Sequence, residues 1–233
     1  MILDDIYVIS DQNSDRFKDL QNELDYLARF VISNDHIHYI YEYKASNIDK
    51  SHYDKYATWP IDRVKYINWD NYNQIIPRDL SVCLNHLYCL SSIKNNDKNG
   101  WSLICEDDIF IENKESFNDQ FNNVILNAPQ DADILWISSG KKHLECTYKN
   151  VCGHDSPINL ITVNENFIKV PKSRYADCIL LKSQVAGLLE QKFLEYKIAT
   201  PIDWEYNYIL HKNPSIKSYW LSPAIIRQNP KYL

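Results

Sequence analysis

Three adjacent carboxylates, Glu106-Asp107-Asp108, stand directly after the apolar run 101–105 (Trp-Ser-Leu-Ile-Cys). Neighbouring like charges disfavour one another's ionisation unless something positive lies between them. A divalent cation removes that penalty. All-oxygen ligands suit Mg²⁺ or Mn²⁺, ions that keep several waters and bind substrate phosphates. In open α/β sheets ligands gather at the carboxyl ends of strands, and 101–105 reads as a buried strand ending at this cluster. The competing reading is a polar turn whose Asp side chains cap backbone amides.

The elements that must position this cluster alternate short β-like runs with helical patterns, which points to α/β architecture. Ile6-Tyr7-Val8-Ile9 reads as a first strand. A loop, 10–13, leads to a helix capped by Ser14 or Asn13. Phe17, Leu20, Leu24, Leu27 and Val31 give that helix one apolar face. A second strand is expected over 36–43. Residues 45–78 read as loop with short helices, and a helix returns over 80–93. Further strands are expected at 133–138, 178–181 and 218–221. Helices are expected from 182 to about Tyr196 and over 200–212, and 140–172 looks irregular. No Pro/Gly/Ser-rich linker divides the 233 residues.

The charge balance, 25 basic against 31 acidic residues for a net −6, argues against a nucleic-acid partner. Lys141-Lys142 and 169–174 are the only local basic concentrations. Six cysteines, at 83, 89, 105, 146, 152 and 178, form no C-x-x-C pair, so they are expected to be scattered reduced thiols of a cytoplasmic chain. No run approaches the ~20 apolar residues of a membrane span, so any membrane association is expected to be peripheral. His36-x-His38 puts two imidazoles on one strand face without further ligands, a structural pattern.

Several segments, in order, resemble glycosyltransferase family 25, the lipooligosaccharide and collagen galactosyltransferase group. Residues 101–108 resemble its "LEDD" region. Ile6-Tyr7-Val8-Ile9-Ser10 with Asp15-Arg16 is similar to its opening strand and following "dR". Leu84-Asn85-His86-Leu87 sits where the family has its "SHl" helix. Ala176-Asp177-Cys178-Ile179-Leu180-Leu181, Pro201-Ile202-Asp203-Trp204 and the ending 223–228 resemble its tail. Ser10-Asp11 replaces the usual Asn-Leu, Asn85 replaces Ser, and Ser81 falls where Gly is common. The "iDWEyNY" stretch resembles giant-virus members of the group.

The resemblance implies a GT-A fold across 1–233, a Rossmann-like mixed sheet flanked by helices. Its nucleotide-binding part covers about 1–110 and its acceptor part about 111–233. It implies an inverting enzyme that moves a hexose, galactose or glucose, from a UDP-sugar to a hydroxyl of a glycan or protein. Mn²⁺ or Mg²⁺ is then expected on Glu106 and Asp108. Ser10, Arg16, His86, Asp107 and Asp177 become donor-binding candidates, and His211 a late metal ligand. A carboxylate must deprotonate the acceptor; Asp203 is the candidate base and Glu205 the second. Against this, Thr200-Pro201-Ile202-Asp203 reads equally as a helix start, with Thr200 as cap and Asp203 at the third position. Two other readings remain: a degenerate fold that binds glycans without catalysis, and a metal-dependent phosphodiesterase. The latter would call for a second acidic or histidine cluster.

Overall fold

The computed structural model describes residues 2–59, 75–96, 98–139, 161–169 and 176–232. Lys141-Lys142, Cys146, Cys152, residues 170–174 and the parts of the two expected irregular stretches at 60–74 and 140–160 lie outside the described residues.

Strand β1 (Ile6–Ile9) is buried along its whole length. Helix α1 (Asp15–Leu27) starts where Ser14 Oγ accepts from the Phe17 backbone N–H at 3.1 Å. β2 (Ile37–Ile40) follows, then the short helix α2 (Lys50–Tyr56), capped by Asp49, and the long α3 (Pro77–Asn95). Pro77 opens α3 at the first turn, where a missing N–H costs nothing. Next come β3 (Trp101–Glu106), β4 (Ile109–Ile111), α4 (Phe117–Leu126), β5 (Ile134–Trp136) and the two-residue β6 (Ser138–Ser139). The chain finishes with β7 (Ile161–Thr162), β8 (Phe167–Lys169), β9 (Cys178–Lys182), α5 (Ser183–Tyr196), α6 (Ile202–Lys212), β10 (Ser218–Leu221) and β11 (Ile226–Gln228).

Eight strands form one mixed sheet in the order β2-β1-β3-β9-β5-β10-β8-β7. β1 runs parallel to both β2 and β3, and β9 is antiparallel to β3 and β5. A second sheet, β4-β11-β6, joins the segment just after the acidic triplet to the chain's last strand. Alternate residues of the central strands enter opposite cores, as strand geometry requires. Tyr7, Ile9, Ile104 and Ile179 pack with Leu84, Leu189 and Tyr206 of α3, α5 and α6. Ile6, Val8, Leu103 and Leu180 pack with Leu20 and Leu24 of α1 and Phe121 of α4. With both faces covered, the central strands are continuously apolar rather than alternating. The arrangement is a Rossmann-like mixed α/β fold.

From β1 the chain passes through α1 to β2 on one side, then through α3 to β3 on the other. The crevice at the carboxyl ends of β1 and β3 is therefore the point where winding reverses, the favoured ligand position of such sheets. At the opposite end of the sheet, His36 and His38 pair with Asp5 Oδ1 at 3.1 and 3.0 Å, and Lys98 with Asp5 Oδ2 at 2.8 Å. These imidazoles hold a buried carboxylate, the structural role their spacing implied. Cys83, Cys89, Cys105 and Cys178 are free and buried. Among the described residues, no helix is long and apolar enough to cross a membrane.

The last helix differs from its expected start. α6 begins at Ile202 with Pro201 in the cap position and no side-chain cap, so Thr200 does not cap it. Pro201 O accepts from the Trp204 and Glu205 backbone N–H groups instead. β4 and α4 lie where the sequence pattern predicts no element, and β7 and β8 fall in the stretch 140–172 expected to be irregular.

Candidate active site

β3 extends one residue further than its apolar run and ends on Glu106, which pairs in register with Ile9 of β1. The next residue of each strand meets across the seam: Ser10 Oγ donates to Asp107 Oδ2 at 3.2 Å. Arg16, from the first turn of α1, donates to Asp107 Oδ1 at 3.4 Å and stands 3.9 Å from Asp108 Oδ2. The chain's end completes the arrangement. Gln228 Nε2 donates to Asp108 Oδ2 at 2.8 Å, and the Asn229 backbone N–H donates to the Asp108 carbonyl. Tyr232 lies under the Arg16 guanidinium, 4.5 Å from it, and Tyr232 and Lys231 both bond Asp19 of α1.

Glu106 and Asp108 thus lie in a cleft of ≈ 360 Å³. Its other walls are Arg16, Gln228 and Tyr232 on one side, and Arg78, Asp79 and Ile202 at the starts of α3 and α6 on the other. A second hollow of ≈ 260 Å³ opens at the ends of β1 and β2, between Ser10, Asn13, Tyr41 and Lys44. Ser10 borders it and also bonds Asp107 of the triplet.

The Glu106 and Asp107 carboxyls resist ionisation, because burial and the neighbouring carboxylate charges outweigh the Arg16 guanidinium beside them. Burial, then the charges of Asp108 and Asp107, push the Glu106 carboxyl up to about 8 against the pull of Arg16. Burial raises Asp107 as well, opposed by Arg16. Asp177 lies behind the triplet, its carbonyl accepting from the Glu106 N–H at 2.8 Å. Burial, Asp108 and Glu106 raise its carboxyl to about 8. Among the described groups, Asp108 Oδ1 and Asp177 Oδ2 are buried with no hydrogen-bond partner. A buried oxygen without a donor is costly, and a cation bound at the Asp108 side of the cleft would relieve that cost.

Among the described residues, no three His, Cys, Asp or Glu side chains are grouped to hold a metal ion by themselves. Ions that bind nucleotide phosphates need only one or two protein carboxylates, the substrate oxygens and waters filling the rest. Glu106 and Asp108 meet that requirement in number and donor type.

The remaining candidates fall in different places. His86 does not line the cleft. It is fully buried behind Glu106, with Nε2 3.2 Å from Glu106 Oε1 and Nδ1 3.4 Å from the Tyr206 hydroxyl. Burial drives its imidazole down to about 3, so it is neutral. Asp203 is half-buried at the head of α6, its Oδ1 accepting from the Trp204 N–H at 3.0 Å, beside the Ile202 that lines the cleft. Glu205, the second candidate base, is buried, and its Oε1 is occupied by Ala199 and Thr200. His211 is exposed in the last turn of α6, about 13 Å along the helix from Ile202, which removes it as a ligand for the cleft.

The sequence reading missed Asp79, Arg78 and Gln228. Pro77-Arg78-Asp79 carries a helix-start signature, but nothing in its spacing tells that this start faces the acidic triplet. Gln228 lay within a family-like ending without a role. No protein-family model and no curated protein matches the chain, so the resemblance to glycosyltransferase family 25 rests on the residues themselves.

Proposed function

We propose that this chain is an inverting, divalent-metal-dependent glycosyltransferase of GT-A fold. It moves a hexose, galactose or glucose, from a UDP-sugar to a hydroxyl of a glycan or protein. The observation that carries the reading is the placement of Glu106, Asp107 and Asp108 at the winding reversal, with buried, unpartnered oxygens on Asp108 and Asp177.

The donor set fits Mn²⁺ or Mg²⁺: oxygen only, acidic, and short of positive charge. Glu106 and Asp108 would hold the ion, and it would neutralise charge building on the departing diphosphate. Arg16 stands next to the same place and adds a fixed guanidinium, suited to phosphate oxygens. Ser10 and Asp107 form the border towards the second hollow, where Tyr41 offers an aromatic face to a nucleoside. Asp177, behind the triplet, holds the Glu106 backbone and so fixes where β3 ends.

The acceptor then attacks from the wall made by α3 and α6. Its oxygen bonds the anomeric carbon as the bond to the diphosphate oxygen breaks, the electron pair leaving with UDP. The hydroxyl proton passes to a carboxylate on that wall. Asp79 lines the cleft and is the first choice; Asp203, at the adjoining helix start, is the second. Glu205, buried and with Oε1 engaged by the preceding loop, is the less suited carboxylate.

A UDP-release assay over a panel of nucleotide sugars, with Mn²⁺ and with EDTA, tests the reading. Mn²⁺-dependent release from one UDP-hexose is expected. Release unaffected by EDTA, or none from any nucleotide sugar alongside hydrolysis of phosphodiesters, would overturn it.

A further inference from the structure

A line of three side chains, two of them buried, runs from the core to the cleft floor. Tyr206 of α6 is fully buried and packs edge-on against Trp136 and Phe193. Its hydroxyl lies 3.4 Å from His86 Nδ1, and His86 Nε2 lies 3.2 Å from Glu106 Oε1. His86 is 0% exposed, whereas Glu106 keeps 24% of its side chain accessible in the cleft.

We infer that His86 is a positioning residue for Glu106, locked by Tyr206 as the Nε2–H tautomer and donating to Oε1 so that Oε2 is left for the cleft. The inference rests on the reading of Glu106 as a cation ligand. With Glu106 ionised, Nε2 must carry the proton, because a bare nitrogen lone pair facing a carboxylate oxygen is repulsive. Nδ1 is then an acceptor, and the Tyr206 hydroxyl supplies the donor. Contacts with Trp136 and Phe193 fix the Tyr206 ring, which sets its hydroxyl 3.4 Å from His86 Nδ1. A neutral imidazole is also the right donor chemically. It orients a carboxylate and satisfies one lone pair without cancelling the charge that a cation needs. This is the general pattern in which a partner behind the ligand sets its orientation and the metal's affinity.

The arrangement explains why a fully buried histidine stands with Cys83, Cys89 and Leu90 on α3, and why α6 presses a tyrosine against α3 at this level. It also explains how a carboxylate at the end of a strand is kept from collapsing onto Arg16 together with Asp107 and Asp108.

Mn²⁺ titrations of the full chain by calorimetry provide the test. His86→Leu is expected to weaken Mn²⁺ binding about 10–100-fold, the usual size of such an effect. His86→Gln, whose amide N–H can reach Oε1, is expected to recover most of the loss. Tyr206→Phe keeps the buried ring and guards against a misfolded leucine variant; it is expected to weaken Mn²⁺ binding while still melting cooperatively in EDTA. Mn²⁺ binding unchanged in all three variants would overturn the inference and leave the cation reading intact. Should the wild type bind no Mn²⁺, the cation reading fails, and ¹⁵N NMR of His86 in EDTA at alkaline pH decides the positioning role alone. The Nε2–H form in the wild type, lost to a tautomer mixture in Tyr206→Phe, supports it. The Nδ1–H form in the wild type overturns it.

Discussion

Glu205 reaches back from the first turn of α6 to Thr200. Its Oε1 accepts from the Thr200 backbone N–H and hydroxyl, both at 2.7 Å, and from the Ala199 N–H at 2.8 Å. The loop it holds starts from Lys197, at φ 55, a left-handed backbone costly for a residue with a side chain. Ile198 bonds Tyr56 and Thr58 on the other side. Together these ties set where Pro201 and Ile202 stand in the cleft wall. Glu205→Leu leaves three buried donors without an acceptor and is expected to destabilise the chain by about 2–5 kcal/mol. Urea unfolding reads the loss. Turnover per folded molecule should stay near wild type; a large fall in kcat at unchanged stability would return Glu205 to the chemistry.

The proton acceptor separates two neighbouring carboxylates. Removing a general base typically costs ~10²–10⁴-fold in rate. Asp79→Asn is expected to lose turnover by this factor while Mn²⁺-dependent UDP binding persists. Asp203→Asn keeps an acceptor for the Trp204 N–H and is expected to change the rate little. The reverse pattern would assign the role to Asp203. Full activity in both variants would place the base elsewhere.

How much of this was legible in the sequence varies by element, and the reasons are physical. β1 and β3 announce themselves as short apolar runs because both faces are buried, and Ser14 caps α1 through a side chain whose preference is local. α4 carries Phe117, Phe121, Val124 and Ile125 at helical spacing, yet its Asn-rich polar positions are weak helix formers and hid the period. β4 has only three residues and is held by β11, more than a hundred residues away, a pairing no local pattern reveals. The acidic triplet could be read because like charges side by side are themselves unusual. Asp79 could not, since an acid in a helix's first turn is ordinary and only packing aims this one at the cleft. Glu205 and Thr200 misled for the related reason that a helix start is shared by capping and catalysis, and here the glutamate caps the loop instead.

Asp177 predicts an unusual pH dependence. Its folded-state value, raised by burial and by Asp108 and Glu106 to about 8, lies well above that of an exposed aspartate. Between the two values the native state holds a proton that the unfolded chain has released, so stability falls as pH rises. The contribution is complete below about pH 4 and is gone above about pH 8. In EDTA the melting temperature should therefore drop from about pH 5 to about pH 9, and Asp177→Asn should flatten that slope. A melting temperature that rises over this range, or an unchanged slope in the variant, would contradict the burial of the Asp177 carboxyl beside the triplet.

The central claim is that Glu106 and Asp108 hold a divalent cation that in turn holds a nucleoside diphosphate. Calorimetric titration of UDP into the chain tests it, in Mn²⁺ and in EDTA, for the wild type and Asp108→Ala. The account predicts saturable UDP binding by the wild type in Mn²⁺, none in EDTA, and none by Asp108→Ala in either buffer. Equal UDP affinity with and without the ion, or binding that survives Asp108→Ala, would contradict it.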